Sequence, residues 1–214
     1  MAIKKEYQEV FGNCDDRVFG RLATFEKLLR TWQTKINLVG TGTLDDIWLR
    51  HFMDSYQLLD LVPDWGAWVD LGSGGGFPGM IVAIASAGQG KTVHLIESDR
   101  RKAAFLAEVS RETSVPVHIH SQRIETTLAE ICRRTNVDVV SARALAPLPQ
   151  LLELAEPALA QGALGLFLKG KNLPEELTAL PSSHNLNLNI VTSKSDPDGN
   201  IVVIRRHNFP TNSV

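Results

Sequence analysis

Between residues 67 and 79 the chain reads Ala67-Trp68-Val69-Asp70-Leu71-Gly72-Ser73-Gly74-Gly75-Gly76-Phe77-Pro78-Gly79, an order that admits few folds. The apolar run from Ala67 to Leu71 suits a strand buried on both faces. The glycines allow positive φ and close approach of a ligand to main chain, and Pro78 suits the first turn of a helix. Strand, glycine turn and helix are therefore predicted here, the opening unit of a parallel α/β sheet. Asp70 is the costly residue: a carboxylate ending a buried strand needs a donor or a cation to meet it. A cationic ligand above the loop would be such a partner.

Two ligand classes compete for the loop. Gly74, Gly76 and Gly79 satisfy the dinucleotide spacing G-x-G-x-x-G, with Glu97 closing the next strand to hold a ribose. Asp70, Gly72, Gly74 and Gly76 satisfy the acid-x-G-x-G-x-G form associated with S-adenosylmethionine. Asp70 favours the second, because it would repel a pyrophosphate and attract a sulfonium and an amino group. A glycine turn kept only for packing is the alternative without a ligand.

From residue 67 onward strands and helices alternate. Strands are expected at Thr92–Glu97, Val115–His120, Val137–Ser141 and Ala163–Lys169, and helices at Arg100–Glu112, Ile124–Arg134 and Leu148–Ala160. Leu186–Ser193 and Ile201–Arg206 are joined by a turn too short for a crossover helix, so they must pair as an antiparallel hairpin. The fold class is thus α/β, a Rossmann-like methyltransferase arrangement with a mostly parallel sheet ending in that hairpin. Two parallel mononucleotide halves would not end this way.

Residues 1–66 are expected to form an N-terminal helical extension to a domain over 67–214. Val18, Leu22, Phe25, Leu29, Trp32 and Ile36 fall on one helical stripe starting near Asp15 or Asp16, backed by Arg17, Arg21, Lys27 and Arg30. That basic back is a solvated face or a surface for nucleic acid. Thr43 and Asp46 have the spacing of a capping box for a following helix, on which His51, Asp54 and Ser55 share one face. Neighbours on one helix orient one another poorly for proton relay, so this trio reads as a docking cluster and not as a catalytic triad.

The net charge is −2, which argues against bulk attraction to nucleic acid and requires any such contact to rest on a local basic patch. Cys14 and Cys132 lack metal or disulfide spacing, and no stretch is long and apolar enough to span a bilayer. A cytoplasmic protein without a metal is expected, acting as a monomer.

Ligands of such sheets lie outside the carboxyl ends of the strands. Those ends carry Asp70–Gly76, Glu97, Ser121–Glu125, Ser141-Ala142-Arg143 and Lys169-Gly170-Lys171. The first three suit an adenosyl cofactor, with Glu97 on the ribose and Ile124 and Glu125 beside the adenine. The last two are basic and suit a phosphate-rich acceptor. Ser141-Ala142-Arg143-Ala144 stands where an amino-group base methylase commonly has Asn/Asp-Pro-Pro-aromatic, and neither cysteine sits at a strand end as a pyrimidine carbon-5 methylase requires. A ring nitrogen such as guanine N7 needs neither device.

Taken together, the glycine loop with Phe77-Pro78-Gly79, Trp32, Asn37-Leu38, Arg50-His51 with Asp54-Ser55, Glu97-Ser98, Phe105-Leu106, Ser141–Ala144 and Leu168-Lys169-Gly170 resemble the RsmG (GidB) family from about Phe25 to Arg206. The Arg-His-x-x-Asp-Ser helix adds specificity, since generic methyltransferases lack it. The resemblance implies S-adenosylmethionine as cofactor, contacted at Gly72, Phe77, Ile124, Glu125 and Arg143. It also implies a guanine-N7 acceptor in the decoding-region loop of 16S ribosomal RNA, in free RNA or in the small ribosomal subunit. Arg50, Lys169 and Lys171 are then candidate RNA-binding residues, and His51 and Arg143 candidates for positioning the base. Two positions depart from the family pattern, Arg101 in place of Lys and Gln33 in place of Asn. Neither belongs to the implied cofactor contacts.

Overall fold

A computed structural model describes residues 11, 15–180 and 186–206; Cys14 lies outside them. Helix α1 (Asp16–Gln33) is capped by Asp15, whose side chain accepts the Arg17 N–H. Val18, Leu22, Phe25 and Leu29 are buried as the stripe predicts, with Trp32 half-buried against Phe105. The arginines of the opposite face have partners within the protein. Arg17 pairs with Asp15, Arg30 with Glu26 one turn away, and Arg21 donates to the Thr113 carbonyl.

The segment after α1 corrects the expectation of a capped regular helix. Thr41–Thr43 is a 3-10 turn, and the chain then winds as a π-helix over Trp48–Met53, an α-helix over Asp54–Tyr56 and a 3-10 helix over Gln57–Leu61. The Thr43/Asp46 capping box does not form. Thr43 instead gives its hydroxyl proton to the Gly40 carbonyl at 2.7 Å, and Asp46 accepts the Arg50 N–H through its backbone carbonyl.

The sheet holds β1 (Ala67–Leu71), β2 (Thr92–Ile96), β3 (His118–His120), β4 (Val139–Arg143), β5 (Leu164–Lys169), β6 (Leu186–Thr192) and β7 (Asn200–Arg206). Its order is β3-β2-β1-β4-β5-β7-β6, with β1 to β5 mutually parallel and the last hairpin antiparallel, as the short 193–199 connection requires. Helices α2 (Gly79–Ala85), α3 (Arg100–Thr113), α4 (Ile124–Arg134), α5 (Leu148–Leu159) and α6 (Leu173–Thr178) complete the described elements.

Two strands differ from the sequence reading by more than one residue at an end, β3 and β4. β3 starts late because Ser114 turns left-handed at φ 53 and the Val115 N–H closes α3 on the Ser110 carbonyl. β4 runs two residues further than expected and so includes Arg143 in its last register position, opposite Leu168. One apolar core, with the Phe52, Phe77 and Phe105 rings gathered around Phe25, joins α1, residues 48–61 and α2 to one face of the sheet. A second, built on Leu128, Leu151, Ala155 and Phe167, joins α4 and α5 to the other. Among the described residues no helix is long and apolar enough to cross a membrane.

Candidate active site

Two cavities open along the carboxyl ends of the parallel strands. The smaller, about 420 Å3, is lined by Gly72–Gly75 and Phe77 of the glycine loop, Glu97, Gln122–Glu125 and the turn Arg143–Ala146. The larger, about 890 Å3, is lined by the 37–43 loop, Arg50, His51, Asp54, Arg143, Lys169, Lys171 and the 196–200 turn. Leu38, Arg143 and Ala144 line both, so the two spaces meet there.

The glycine loop is shaped by backbone that only glycine enters readily. Gly72, Gly74 and Gly76 have φ of 64°, 53° and 91°. Gly74 donates its N–H to Glu97 Oε2 at 2.8 Å, while Glu97 Oε1 takes the Asp99 N–H at 2.7 Å. Each Glu97 oxygen keeps a lone pair for a hydroxyl donor, and no ion pair joins it to Arg100, Arg101 or Lys102 among the described residues. Gly76 faces away from the cavity. A Cβ there would stand 2.9 Å from Phe25, so this glycine serves the fit between loop and α1.

Asp70 also departs from its expected place. It is fully buried, does not line the cavity, and already has donors, Ser141 Oγ at 2.8 Å and the Gly79 N–H at 3.2 Å. Burial nevertheless pushes its carboxyl up to about 6, against the pull of those donors and of Arg143. The carboxylate lies beneath the loop, outside the cavity lining. Because its folded value lies above the ordinary one, its contribution to stability falls as pH rises from about 4 through 6.

His51 and Asp54 line the larger cavity while Ser55 is buried beside them, and no two of the three side chains bond to each other. Ser55 donates to the His51 carbonyl, and Asp54 Oδ1 accepts Ser193 and Ser195 hydroxyls at 3.0 and 2.7 Å, tying the segment to the β6–β7 turn. His51 Nε2 lies 2.7 Å from Thr43 Oγ1. The neutral Nε2–H tautomer satisfies both contacts, because the Thr43 proton is then free for Gly40, and it leaves a buried lone pair at Nδ1 in place of a costlier buried donor. Burial, with Arg143 and Arg50 nearby, pulls this imidazole down to about 3.

Burial likewise pulls His94 down to about 4. Both histidines hold fewer protons folded than unfolded below pH 6.5, so stability is full above that pH and falls as pH drops toward 4. Each contributes at most about 1.4 kcal/mol per pH unit. Urea unfolding at pH 7 and pH 5 should give lower stability at pH 5, and His51→Gln should flatten the difference. An unchanged slope would contradict a neutral His51.

Arg143 links the parts. Its guanidinium lies 4.7 Å from the Phe77 ring centre, donates to the Arg50 carbonyl at 3.1 Å and meets Asp54 Oδ2 at 3.5 Å. His51 stacks on Phe77 at 5.0 Å. Arg50 pairs at the rim with Asp196 at 3.3 Å, and Lys171 is exposed. Lys169 is not a free cation: Glu176 and the Ala146 carbonyl hold it.

Sequence reasoning gave Leu38 no role, nor Leu145 and Gln150. Gln33, the family departure, organises the loop that carries Leu38, accepting the Leu38 and Val39 N–H groups and donating to the Val39 carbonyl. A polar residue near a helix end followed by Asn37-Leu38 was the available signal.

The sheet order, the antiparallel β7 and a glycine-lined cavity at the strand ends define a Rossmann-like methyltransferase fold. Solved structures agree: a methyltransferase from Geobacter sulfurreducens superposes with TM-score 0.58 at 17% identity, covering 91% of this chain and 90% of that one. An rRNA methylase from Streptococcus thermophilus gives TM-score 0.52 at 13% identity, covering 72% and 94%. Residues 20–202 match the GidB family model, rRNA small subunit methyltransferase G, and the chain belongs to that family. Relatives called ribosomal RNA small subunit methyltransferase G include one from Parvibaculum lavamentivorans, 45% identical over 95% of this chain and 90% of its own. Another, from Rhodospirillum centenum, is 47% identical over 91% and 86%.

Proposed function

We propose that the chain transfers a methyl group from S-adenosylmethionine to N7 of a guanine in the decoding-region loop of 16S ribosomal RNA, acting as a cytoplasmic monomer on free RNA or on the small ribosomal subunit. The observation that carries this reading is the meeting of the glycine-lined cavity with the larger, cation-rimmed one at Leu38, Arg143 and Ala144. The names of the relatives support the acceptor class.

The smaller cavity fits the cofactor chemically. Its size is that of a small-ligand pocket, Glu97 retains acceptor capacity toward ribose hydroxyls, and the buried Asp70 beneath the loop favours a cation above it. Gly72–Gly75 and Phe77 would hold the amino-acid end, and Ile124 and Glu125 the adenine. When bound, S-adenosylmethionine supplies an electrophilic sulfonium methyl group. Guanine N7 offers a lone pair with no proton to remove, so no residue need act as a general base. The chain's task is alignment: Arg143 and His51 position the base, and Arg50 and Lys171 face phosphates at the mouth. Cys132 is buried in the second core and lines neither cavity, so Cys132→Ala should leave transfer intact.

Equilibrium binding tests the reading. Labelled S-adenosylmethionine should bind and be displaced by S-adenosylhomocysteine but not by NAD, and adding small-subunit RNA should carry label into RNA. Displacement by NAD without methyl transfer would favour an oxidoreductase. Binding without transfer to any RNA would favour a non-catalytic RNA-binding protein.

A further inference from the structure

Lys169 ends β5, and its ammonium group is engaged inside the protein. Nζ donates to the Ala146 carbonyl at 2.9 Å and meets Glu176 Oε2, on α6, at 2.6 Å. The same Oε2 accepts the Leu148 N–H at 2.6 Å. One ion pair thus grips both sides of the turn from β4 to α5, an acceptor at residue 146 and a donor at residue 148. The side chains are only 9% and 19% exposed, unlike those of a lysine offered to solvent and to phosphates.

That turn needs holding. Ala144 sits at φ 51°, a region that residues with a Cβ avoid, and Leu145 packs onto Gly72 so closely that a Cβ there would stand 2.6 Å from its Cδ1. Ala144, Leu145 and Ala146 all line the smaller cavity. A backbone in an unfavourable basin relaxes when its outside restraints are removed. Here relaxation would draw Leu145 away from the glycine loop.

We infer that the Lys169–Glu176 ion pair is a positioning device for the cofactor cavity, holding the Ala144–Ala146 turn against Gly72, and that Lys169 is not a phosphate contact. The inference rests on the reading that this cavity takes S-adenosylmethionine. It reverses the role that a basic strand end suggests when sequence alone is read.

The test compares wild type, Lys169→Met, Lys169→Arg and Glu176→Gln by calorimetric binding of S-adenosylhomocysteine and by RNA binding across a salt series. Lys169→Met and Glu176→Gln should each weaken the nucleoside about tenfold, Lys169→Arg should keep most of the affinity, and RNA affinity and its salt slope should stay within twofold of wild type. Retained RNA binding also reports that the variants fold. A phosphate contact gives opposite signs: Lys169→Met would weaken RNA binding and lower the salt slope by about one, whereas Glu176→Gln would tighten it. That pattern, with cofactor affinity unchanged, overturns the inference alone. Failure of the wild-type protein to bind S-adenosylhomocysteine overturns the cofactor reading and the inference with it.

Discussion

Gly74→Val is expected to abolish cofactor binding, weakening S-adenosylhomocysteine by at least about 100-fold while the protein still folds. At φ 53° a β-branched residue is strained by about 1–2 kcal/mol, a loss that a domain with two large cores withstands. No atom outside the immediate chain neighbours comes nearer than 3.7 Å to the new Cβ, so the Cβ itself meets only ordinary contact. The added side chain stands on the loop whose backbone lines the cavity and whose N–H pins Glu97. Gly76→Val is the informative contrast. Its Cβ would stand 2.9 Å from Phe25 and 3.0 Å from Met80 at φ 91°, so it should lower the melting temperature sharply through packing. Near-wild-type nucleoside affinity in folded Gly74→Val would remove the cofactor from this cavity.

Arg143→Ala is expected to lower single-turnover methyl transfer by about 100-fold or more, the scale on which a single preorganised charged donor acts in a closed site. The substitution removes the one cation that lines both cavities, uncovers the Phe77 face and leaves Asp54 Oδ2 without its ion-pair partner. Arg143→Lys restores the charge but not the planar group on the ring, so it should recover only part of the rate. Full activity in Arg143→Ala would return this residue to a structural role.

Much of the architecture was legible because it follows from local rules. Apolar runs bounded by glycine and proline gave the parallel strands, and the short 193–199 connection dictated an antiparallel end. Where boundaries slipped, a backbone group had been taken by something non-local or left-handed. The Ser114 turn delayed β3 through Val115, and β4 extended to carry Arg143 to the place where the cavities meet.

The site was legible by residue type more than by role. Glycine and acid spacing pointed to the loop, and the carboxyl ends of the strands to Glu97 and residues 121–125, of which Glu97 and 122–125 line the smaller cavity. Spacing cannot tell whether a carboxylate faces a cavity or a serine, and Asp70 meets Ser141 and the Gly79 N–H beneath the loop. Nor can it tell whether a lysine at a strand end is solvated or paired, because Glu176 reaches Lys169 from a later helix. Gln33 and Leu38 act through a loop folded back over Gly75, whose Cβ would meet the Leu38 carbonyl at 2.9 Å, a proximity that has no periodic signature.

The identity of the methylated nucleoside tests the account most directly. Small-subunit ribosomal RNA, free and within the subunit, is incubated with the protein and labelled S-adenosylmethionine, then digested for nucleoside analysis and, in parallel, treated with alkaline borohydride and aniline. The account predicts label in 7-methylguanosine and aniline cleavage at one guanine of the decoding-region loop, both appearing far more slowly with Arg143→Ala. Label in a methylated adenine or cytosine, or label in guanine without aniline cleavage, would contradict it.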